Sequence, residues 1–262
     1  MTARRAAVLG SPIAHSLSPV LWRAAFAELD LDWTYDAVEC DEERLPALLA
    51  EMAADPAWAC VSLTMPLKHR AADVVDEHRA PVRPVNTVVF EAGRTIGHNT
   101  DLDGVVAAVR ELGAAPERTV VLGAGGTAAA AVAALADLGS DVVCVARRPD
   151  QAAAICKHAA PWAQAGREIS KAELVIATTP RGATDRLAAA PWPRRADLVE
   201  VLYDPWPTPL AAAALAAGAR VAGGLTVLVG QAAAAIRLVT GCEPPVSAMR
   251  TAGEAALAAR HP

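Results

Sequence analysis

The amino-acid sequence predicts an α/β protein with two domains: an N-terminal mixed-sheet domain and a doubly wound parallel-sheet domain, with a cleft between them. Three observations predict this class. Short apolar runs alternate with helical patterns along the whole chain, which is typical of helix-covered sheets. In the second half this alternation has the period of a parallel sheet. Between the halves, a glycine turn joins a buried strand to an alanine-rich helix.

The first domain is expected to span residues 1–103, with C-terminal helices in residues 241–262 packing back on it. Its strands are apolar runs bounded by turn residues, and its helices follow glycine, proline or acidic stretches. The predicted strands are Ala6–Gly10, Trp33–Glu39, Trp58–Thr64 and the hairpin Val85–Glu91 with Thr95–His98. The predicted helices are Pro19–Leu29, Leu45–Ala53, one that starts at Lys68, and Asp103–Leu112, which bridges the two domains.

The second domain is expected to span residues 104–240. Its strands are short, apolar and β-branched, and prolines follow several of them, which marks loops above the sheet. The predicted strands are Thr119–Leu122, Val142–Val145, Leu174–Thr178, Leu198–Val201 and Arg220–Ala222. The predicted helices are Ala128–Leu138, Gln151–His158, Arg186–Ala190, Pro209–Ala217 and Thr226–Thr240; a last helix, Ser247–Ala259, returns to the first domain.

The turn after the first strand of this second domain carries a phosphate-binding pattern. Its residues are Gly123-Ala124-Gly125-Gly126-Thr127-Ala128, and Gly123, Gly125 and Ala128 fit the G-x-G-x-x-A form of the dinucleotide fingerprint. Bare backbone N–H groups at a helix N-terminus bind a pyrophosphate, and glycine lets the chain approach it. A Rossmann-type nucleotide-binding domain is therefore expected; the alternative is a glycine-rich turn with no ligand.

The next strand ends in Arg147 and Arg148. An NAD-binding site usually places Asp or Glu at this strand end to accept from the ribose 2′-OH. Two arginines instead can bind a 2′-phosphate bidentately. The sequence therefore favours NADP as the cofactor, the alternative being that both arginines are solvated loop charges.

Composition excludes several other classes. With 53% hydrophobic and 20% charged residues, a sizeable core is feasible and disorder is not expected. A net charge of −5 without a basic run argues against nucleic acid as a partner. No apolar stretch approaches the length of a membrane span, and the first residues reach glycine and proline too soon for a signal peptide. Five cysteines without a C-x-x-C motif indicate free, mostly buried thiols in a reducing cytoplasm.

A first polar cluster follows the first strand and contains Ser16 and Ser18. In an extended segment these two side chains point the same way, and two hydroxyls on one face can bind a carboxylate. The alternative is that Ser18 is only an N-cap, with Pro19 at the first helical position.

Three further polar clusters lie in the first half of the chain. They contain Lys68 in Ser62–His69, Asn86 at the start of the hairpin, and Asp101 in Gly97–Gly104. A lysine at a helix start is disfavoured by the dipole, which suggests a role in a site; a solvated lysine is the alternative. Asn86 either hydrogen-bonds a substrate or caps the turn, and Asp101 either acts in a site or N-caps the bridging helix.

A lysine and an aspartate facing a nicotinamide make a plausible acid–base pair for reducing a ketone. Hydride delivery to a carbonyl carbon builds negative charge on oxygen, which an ammonium group stabilises and protonates. Lys68 and Asp101 are the candidates. The histidines lack metal-ligand spacing, so no metal site is expected.

Taken together, the motifs resemble those of the shikimate dehydrogenase (shikimate/quinate dehydrogenase) family over nearly the whole chain. The motifs that carry the resemblance are Gly10–Pro19, Thr64–Lys68, Asn99-Thr100-Asp101 with Gly104, Gly123–Ala128, Tyr203–Leu210 and Gly224–Gln231. The resemblance implies NADPH-dependent, reversible reduction of 3-dehydroshikimate to shikimate in aromatic amino-acid (chorismate) biosynthesis. A small-molecule substrate and a cytoplasmic monomer or homodimer are expected.

The resemblance also assigns roles to residues of this chain. Lys68 and Asp101 become the catalytic pair. The implied substrate-binding residues are Ser16, Ser18, Thr64, Asn86, Asp101, Tyr203 and Gln231. The implied cofactor-binding residues are Gly123, Ala124, Gly125, Gly126, Thr127, Ala128, Arg147, Arg148, Thr178 and Gly224.

Two alternatives remain open at this point. A relative with the same fold could oxidise quinate or an amino analogue, because those rings differ from shikimate by few atoms. A non-catalytic NADP-binding paralogue is the other alternative, since the stretch Ala71–Pro84 is short for the family and Arg83-Pro84-Val85 replaces a usual Gly-Ala pair before Asn86.

Overall fold

The computed structural model describes residues 3–260; the outermost residues of the predicted first domain, Met1, Thr2, His261 and Pro262, lie outside the described residues. The chain divides into two compact units. One comprises the residues up to Thr100 together with those from Gln231 onward, and the other is Asp101–Gly230. The expected domain limits at residues 103 and 240 fall within a few turns of these divisions, and they stay predictions.

The first unit contains a six-stranded mixed sheet. Its strands are β1 (Arg4–Gly10), β2 (Trp33–Glu39), β3 (Trp58–Leu63), β4 (Glu77–His78), β5 (Thr87–Glu91) and β6 (Arg94–His98). Their order across the sheet is β2-β1-β3-β5-β6-β4. The pairs β1–β2, β1–β3 and β4–β6 are parallel, whereas β3–β5 and β5–β6 are antiparallel. The predicted mixed sheet is therefore confirmed.

Among the described residues, three helices precede residue 101, and one lies after residue 240. They are α1 (Ser18–Glu28), α2 (Leu45–Ala54), α3 (Lys68–Val74) and, at the far end of the chain, Val246–Ala258. On one side of the sheet, alternate residues of β1 and β3 pack with α2 in an apolar cluster that includes Leu9, Leu49 and Val61. The C-terminal helix packs against α1.

The second unit contains six parallel strands. They are β7 (Arg118–Leu122), β8 (Asp141–Ala146), β9 (His158–Pro161), β10 (Leu174–Ala177), β11 (Asp197–Glu200) and β12 (Val221–Ala222). Their order is β12-β11-β10-β7-β8-β9, and every neighbouring pair is parallel. The order reverses at β7, as in a doubly wound nucleotide-binding fold.

Helices cover both faces of this second sheet. They are α4 (Asp101–Glu111), α5 (Gly126–Asp137), α6 (Pro149–Ala153), α7 (Ala165–Ile169), α8 (Asp185–Ala188), α9 (Pro209–Ala216) and the first residues of α10 (Gly224–Thr240); with these named, Val246–Ala258 is α11. Successive side chains of β7 face opposite sides: Val121 joins one apolar cluster, whereas Val120 and Leu122 join another. Burial of both faces explains why these strands are continuous apolar runs.

The region between β8 and β10 departs from the predicted elements. The sequence predicts one helix over Gln151–His158, which is wrong: α6 ends at Ala153, and His158 begins the edge strand β9. A 3₁₀ turn, Trp162–Gln164, and α7 follow. The alanine-rich sequence favours a helix here. Residues 158 and 159 form a strand instead, because His158 pairs with Val143 and Ala159 pairs with Cys144.

All five cysteines are free thiols, and four of them are buried, as the sequence predicts. Within residues 3–260 no helix is long and apolar enough to span a bilayer.

Candidate active site

The predicted substrate-binding residues of the first unit lie in loops at one edge of its sheet, where several strands begin or end. Strands β1 and β3 are parallel, with Leu9 beside Leu63, so both end at this edge. The antiparallel strand β5 begins there, since the Leu63 N–H donates to the Asn86 carbonyl (2.7 Å). Strand β6 ends there as well, because Thr87 pairs with His98. Four loops carrying polar side chains therefore converge.

The serine segment after β1 forms a turn, so the expectation of an extended segment is wrong. The Ser16 N–H donates to the Ile13 carbonyl (3.0 Å), and the Ser18 N–H donates to Ser16 Oγ (3.3 Å). Helix α1 begins at Ser18, Leu17 occupies the N-cap position, and no side-chain cap bond forms. Interpreting Ser18 as an N-cap is therefore wrong, and the turn instead joins the Ser16 hydroxyl to the Ser18 backbone.

The loop after β3 carries Thr64 and leads directly into α3. The Thr64 N–H donates to the Leu9 carbonyl (2.9 Å), which fixes this loop against the end of β1. Lys68 is the first residue of α3, as predicted, and its carbonyl accepts from the Val85 N–H (2.9 Å). A lysine at the positive end of a helix dipole gains nothing from the helix, so its position is set by the loop rather than by helix stability.

Asn86 is the centre of a buried hydrogen-bond network. Its Oδ1 accepts from the Thr100 N–H (2.7 Å) and from the Thr87 hydroxyl (3.0 Å). Its Nδ2 donates to Thr100 Oγ1 (3.1 Å) and to Gln231 Oε1 (3.5 Å). Asn86 is 2% exposed and Gln231 is 8% exposed. These bonds fix the orientation of the Asn86 amide, and they bring the predicted Gln231 to the same edge.

Asp101 follows this network directly as the first residue of α4. It is buried (6% exposed), whereas Asp103 in the same first turn is exposed. A carboxylate that only balances the helix dipole gains little from burial, because removing a charge from water is costly. Burial therefore favours a site role for Asp101 over capping alone, while Asp103 suits the dipole role.

The predicted phosphate turn lies between β7 and α5. Gly123 has a positive φ of 124°, and a Cβ there would strike Thr178 Oγ1. Gly125, the N-cap of α5, makes no side-chain cap bond, and a Cβ built on it would meet no described atom within 4 Å. Protein packing thus requires glycine at 123 but not at 125. Open space before uncapped N–H groups is what a bound phosphate needs.

Arg147 and Arg148 follow β8, next to β7 in the sheet. Both are exposed, and no carboxylate of the described residues forms an ion pair with either of them. The sheet order places them beside the Gly123–Ala128 turn, because Leu122 pairs with Val145. Two uncompensated cations at this strand end fit a 2′-phosphate.

The other predicted cofactor and substrate residues of the second unit lie at the same ends of the strands. Thr178 follows β10 and donates its hydroxyl to the Leu122 carbonyl (2.8 Å), beneath Gly123. Tyr203 lies in the loop after β11. Gly224 starts α10, and a Cβ there would overlap the Val201 carbonyl. Glycine is thus needed at 224 for the backbone itself.

Two further residues lie at these sites but are not predicted from the sequence: Thr100 and Glu200. Thr100 lies within the Asn99-Thr100-Asp101 motif, so its position could have been noticed, but its bonds to Asn86 depend on tertiary structure. Glu200 ends β11 and is 1% exposed. A single acidic residue at a strand end carries no sequence signal.

Burial raises the pKa of Glu200 from 4.5 to about 7, opposed by hydrogen bonds from Leu202 and Thr208. Between about pH 4.5 and pH 7, Glu200 is therefore protonated in the folded protein but ionised in the unfolded chain. The free energy of unfolding should fall as pH rises through this window, by up to about 3 kcal/mol from this group. Glu200→Gln should flatten that slope in urea unfolding at pH 5 and pH 8. An unchanged slope would contradict the assignment.

No group of three or more His, Cys, Asp or Glu side chains within residues 3–260 could hold a metal ion. In the first unit, this edge of the sheet carries the hydroxyl groups of the serines and Thr64, the amide groups of Asn86 and Gln231, and the ammonium group of Lys68. The second unit carries the Asp101 carboxylate, the phosphate turn and the two arginines.

Comparison with known proteins identifies the family. Residues 8–88 match the family described as shikimate dehydrogenase substrate binding domain, and residues 224–252 match the shikimate 5′-dehydrogenase C-terminal domain. A shikimate dehydrogenase (NADP(+)) from Citrifermentans bemidjiense is 37% identical, over 97% of this chain and 94% of that protein.

Solved structures agree with this similarity. Shikimate dehydrogenase from Mycobacterium tuberculosis has a TM-score of 0.86 and 39% identity, covering 96% of this chain and 99% of that one. Shikimate 5-dehydrogenase from Thermus thermophilus, in complex with NADP(H) and shikimate, has a TM-score of 0.88 and 35% identity, covering 97% and 100%. The resemblance drawn from the motifs is confirmed, and the chain belongs to the shikimate dehydrogenase family.

Proposed function

We propose that this protein is an NADP-dependent oxidoreductase that reversibly reduces 3-dehydroshikimate to shikimate. The observation that carries the proposal is the convergence of Ser16, Thr64, Lys68 and Asn86 on one edge of the first sheet. These residues come from three loops far apart in sequence, and the family resemblance assigns each of them a substrate-binding or catalytic role. The relatives named above act with NADP or are bound to it and to shikimate, which supports the same pair of ligands here.

The substrate carboxylate is proposed to bind Ser16 and Ser18. Because Ser16 Oγ accepts from the Ser18 N–H, its own proton can be donated to an anion. Thr64, Asn86 and Gln231 are proposed to bind the ring hydroxyls, with Asp101 and Tyr203 completing the contacts. Gln231 accepts from Asn86 through Oε1, so its Nε2 is the donor side.

NADPH is proposed to bind the second unit through Gly123–Ala128, Arg147, Arg148, Thr178 and Gly224. The residues fit this cofactor: the space before Gly125 is open, and the N-terminus of α5 has no side-chain cap. The arginines supply charge for a 2′-phosphate. When bound, NADPH supplies the hydride.

Lys68 and Asp101 are proposed as the catalytic pair. As the ketone is reduced, negative charge develops on its oxygen, and the Lys68 ammonium stabilises that charge and donates the proton. Asp101 is proposed to orient the lysine through the attraction between their opposite charges. In the oxidation direction the neutral amine of Lys68 accepts the hydroxyl proton and becomes the ammonium again.

We propose a role in aromatic amino-acid (chorismate) biosynthesis, a cytoplasmic location and a monomer or homodimer as the active form. The free thiols support a reducing compartment.

Initial rates of nicotinamide absorbance change test the function. The protein should oxidise shikimate with NADP⁺ much faster than with NAD⁺, and quinate more slowly than shikimate. Faster oxidation of quinate or of an amino analogue would assign the protein to that activity instead. Tight NADPH binding without turnover on any of these substrates would identify a non-catalytic paralogue and refute the proposal.

A further inference from the structure

Glu200 is a buried carboxylate that joins the two ends of one loop. It is the last residue of β11 and is 1% exposed. Its Oε1 accepts from the Leu202 N–H (3.2 Å), and its Oε2 accepts from the Thr208 hydroxyl (3.1 Å). Burial of a carboxylate is costly without hydrogen bonds, and these two donors lie at opposite ends of residues 202–208. The carboxylate therefore fixes both ends of this segment, which we term the β11–α9 loop.

Thr208 transmits this constraint to α9. Its Oγ1 accepts from the Ala211 N–H (3.1 Å) as the N-cap of that helix. A hydroxyl has a single proton, and here that proton is directed at Glu200. The carboxylate, the hydroxyl and the helix start thus form one chain of hydrogen bonds.

The β11–α9 loop also contacts the start of α10. The Leu202 carbonyl accepts from the Gly224 N–H (3.2 Å), and the Val201 carbonyl lies so close to Gly224 that a Cβ would overlap it. The ring of Trp206 lies 3.0 to 3.3 Å from the position of a Cβ on Gly223. A displacement of the loop should therefore shift the backbone at Gly224.

We propose that Glu200 is a positioning residue for the nicotinamide half of the cofactor. It acts through the β11–α9 loop, which carries Tyr203 and packs on Gly224. The inference rests on the proposed function, in which Gly224 binds the cofactor, and the family resemblance implies that this glycine contacts the nicotinamide amide. The adenine half is assigned to Arg147 and Arg148, which follow a different strand, β8. Loss of the Glu200 carboxylate should therefore weaken binding of one half of the cofactor only.

Asp197 provides a matched control at the opposite end of the same strand. It is also buried and accepts from Arg220 Nε (3.1 Å) and from the Arg220 N–H (3.1 Å). Its partners lie away from the β11–α9 loop. Asp197→Asn should lower stability without a selective effect on the nicotinamide.

The test compares two ligands of the purified protein at pH 8. One is NADPH, and the other is adenosine 2′,5′-bisphosphate, which lacks the nicotinamide half. Glu200→Gln should raise the Kd for NADPH about tenfold, as expected when one charge-assisted hydrogen bond is lost, and leave the Kd for the bisphosphate unchanged. Thr208→Val should act in the same way, Thr208→Ser should restore wild-type affinity, and Asp197→Asn should change neither Kd.

The outcomes separate the possible explanations. Equal weakening of both ligands in Glu200→Gln, or no weakening of NADPH, would overturn the inference. If Glu200→Gln does not fold, Thr208→Val gives the same comparison. A wild-type protein that binds NADPH but does not oxidise shikimate would refute the proposed function, while the ratio of the two Kd values would still test the role of Glu200.

Discussion

Replacing Lys68 with alanine should lower kcat for shikimate oxidation by about a thousandfold, within the range of general acid–base catalysis. The ammonium group is proposed to stabilise charge that exists only as the reaction proceeds, so its loss should act on kcat more than on KM. The Kd for NADPH should stay near the wild-type value, because Lys68 lies in the first compact unit and the phosphate turn in the second. Stopped-flow or steady-state absorbance gives kcat, and nicotinamide fluorescence gives the Kd.

Lys157 is the matched control for this change. It is exposed and lies just before β9, so Lys157→Ala should leave both kcat and the Kd for NADPH unchanged. Wild-type turnover by Lys68→Ala would remove the lysine from the mechanism. A loss of NADPH affinity equal to the loss of turnover would indicate a binding role instead.

The double change Arg147→Ala with Arg148→Ala should raise KM for NADP⁺ about a hundredfold and hardly alter KM for NAD⁺. Each charge-assisted hydrogen bond to a phosphate is worth about 1.5–3 kcal/mol, and only NADP⁺ carries the 2′-phosphate. The ratio of kcat/KM values for the two cofactors measures this directly.

Arg194→Ala serves as the control for charge, since Arg194 is exposed and follows the prolines before β11. It should leave the cofactor ratio at its wild-type value. An equal loss with both cofactors in the double variant would contradict a 2′-phosphate role, as would no loss at all.

The sequence predicts the fold class and most strands because those signals are local. Buried parallel strands are continuous apolar runs, and the run at Val120–Leu122 is fixed by burial on both faces. Glu77–His78 and His158–Pro161 are missed because edge strands of two and four residues have no readable period. The alanines near residue 153 favour a helix that edge pairing overrides.

The sequence predicts those residues of the candidate site that belong to local motifs, but not the contacts between distant residues. Lys68, Asp101 and the Gly123–Ala128 turn stand out because each lies where a strand ends and a helix begins. The bond between Asn86 and Gln231 joins residues 145 positions apart, and no local pattern contains it. The role of Glu200 cannot be predicted from local sequence either, because it depends on the bond from Thr208 and on the burial of β11 in the folded protein.

Lys68 and Asp101 are proposed to act on one proton as a unit. A double-mutant cycle of kcat for shikimate oxidation, with Lys68→Ala, Asp101→Asn and the double variant, tests it most directly. The double variant should be no slower than Lys68→Ala alone, because residues that act together lose their effect together. Losses that multiply, so that the double variant is slower by the product of the two single effects, would contradict it.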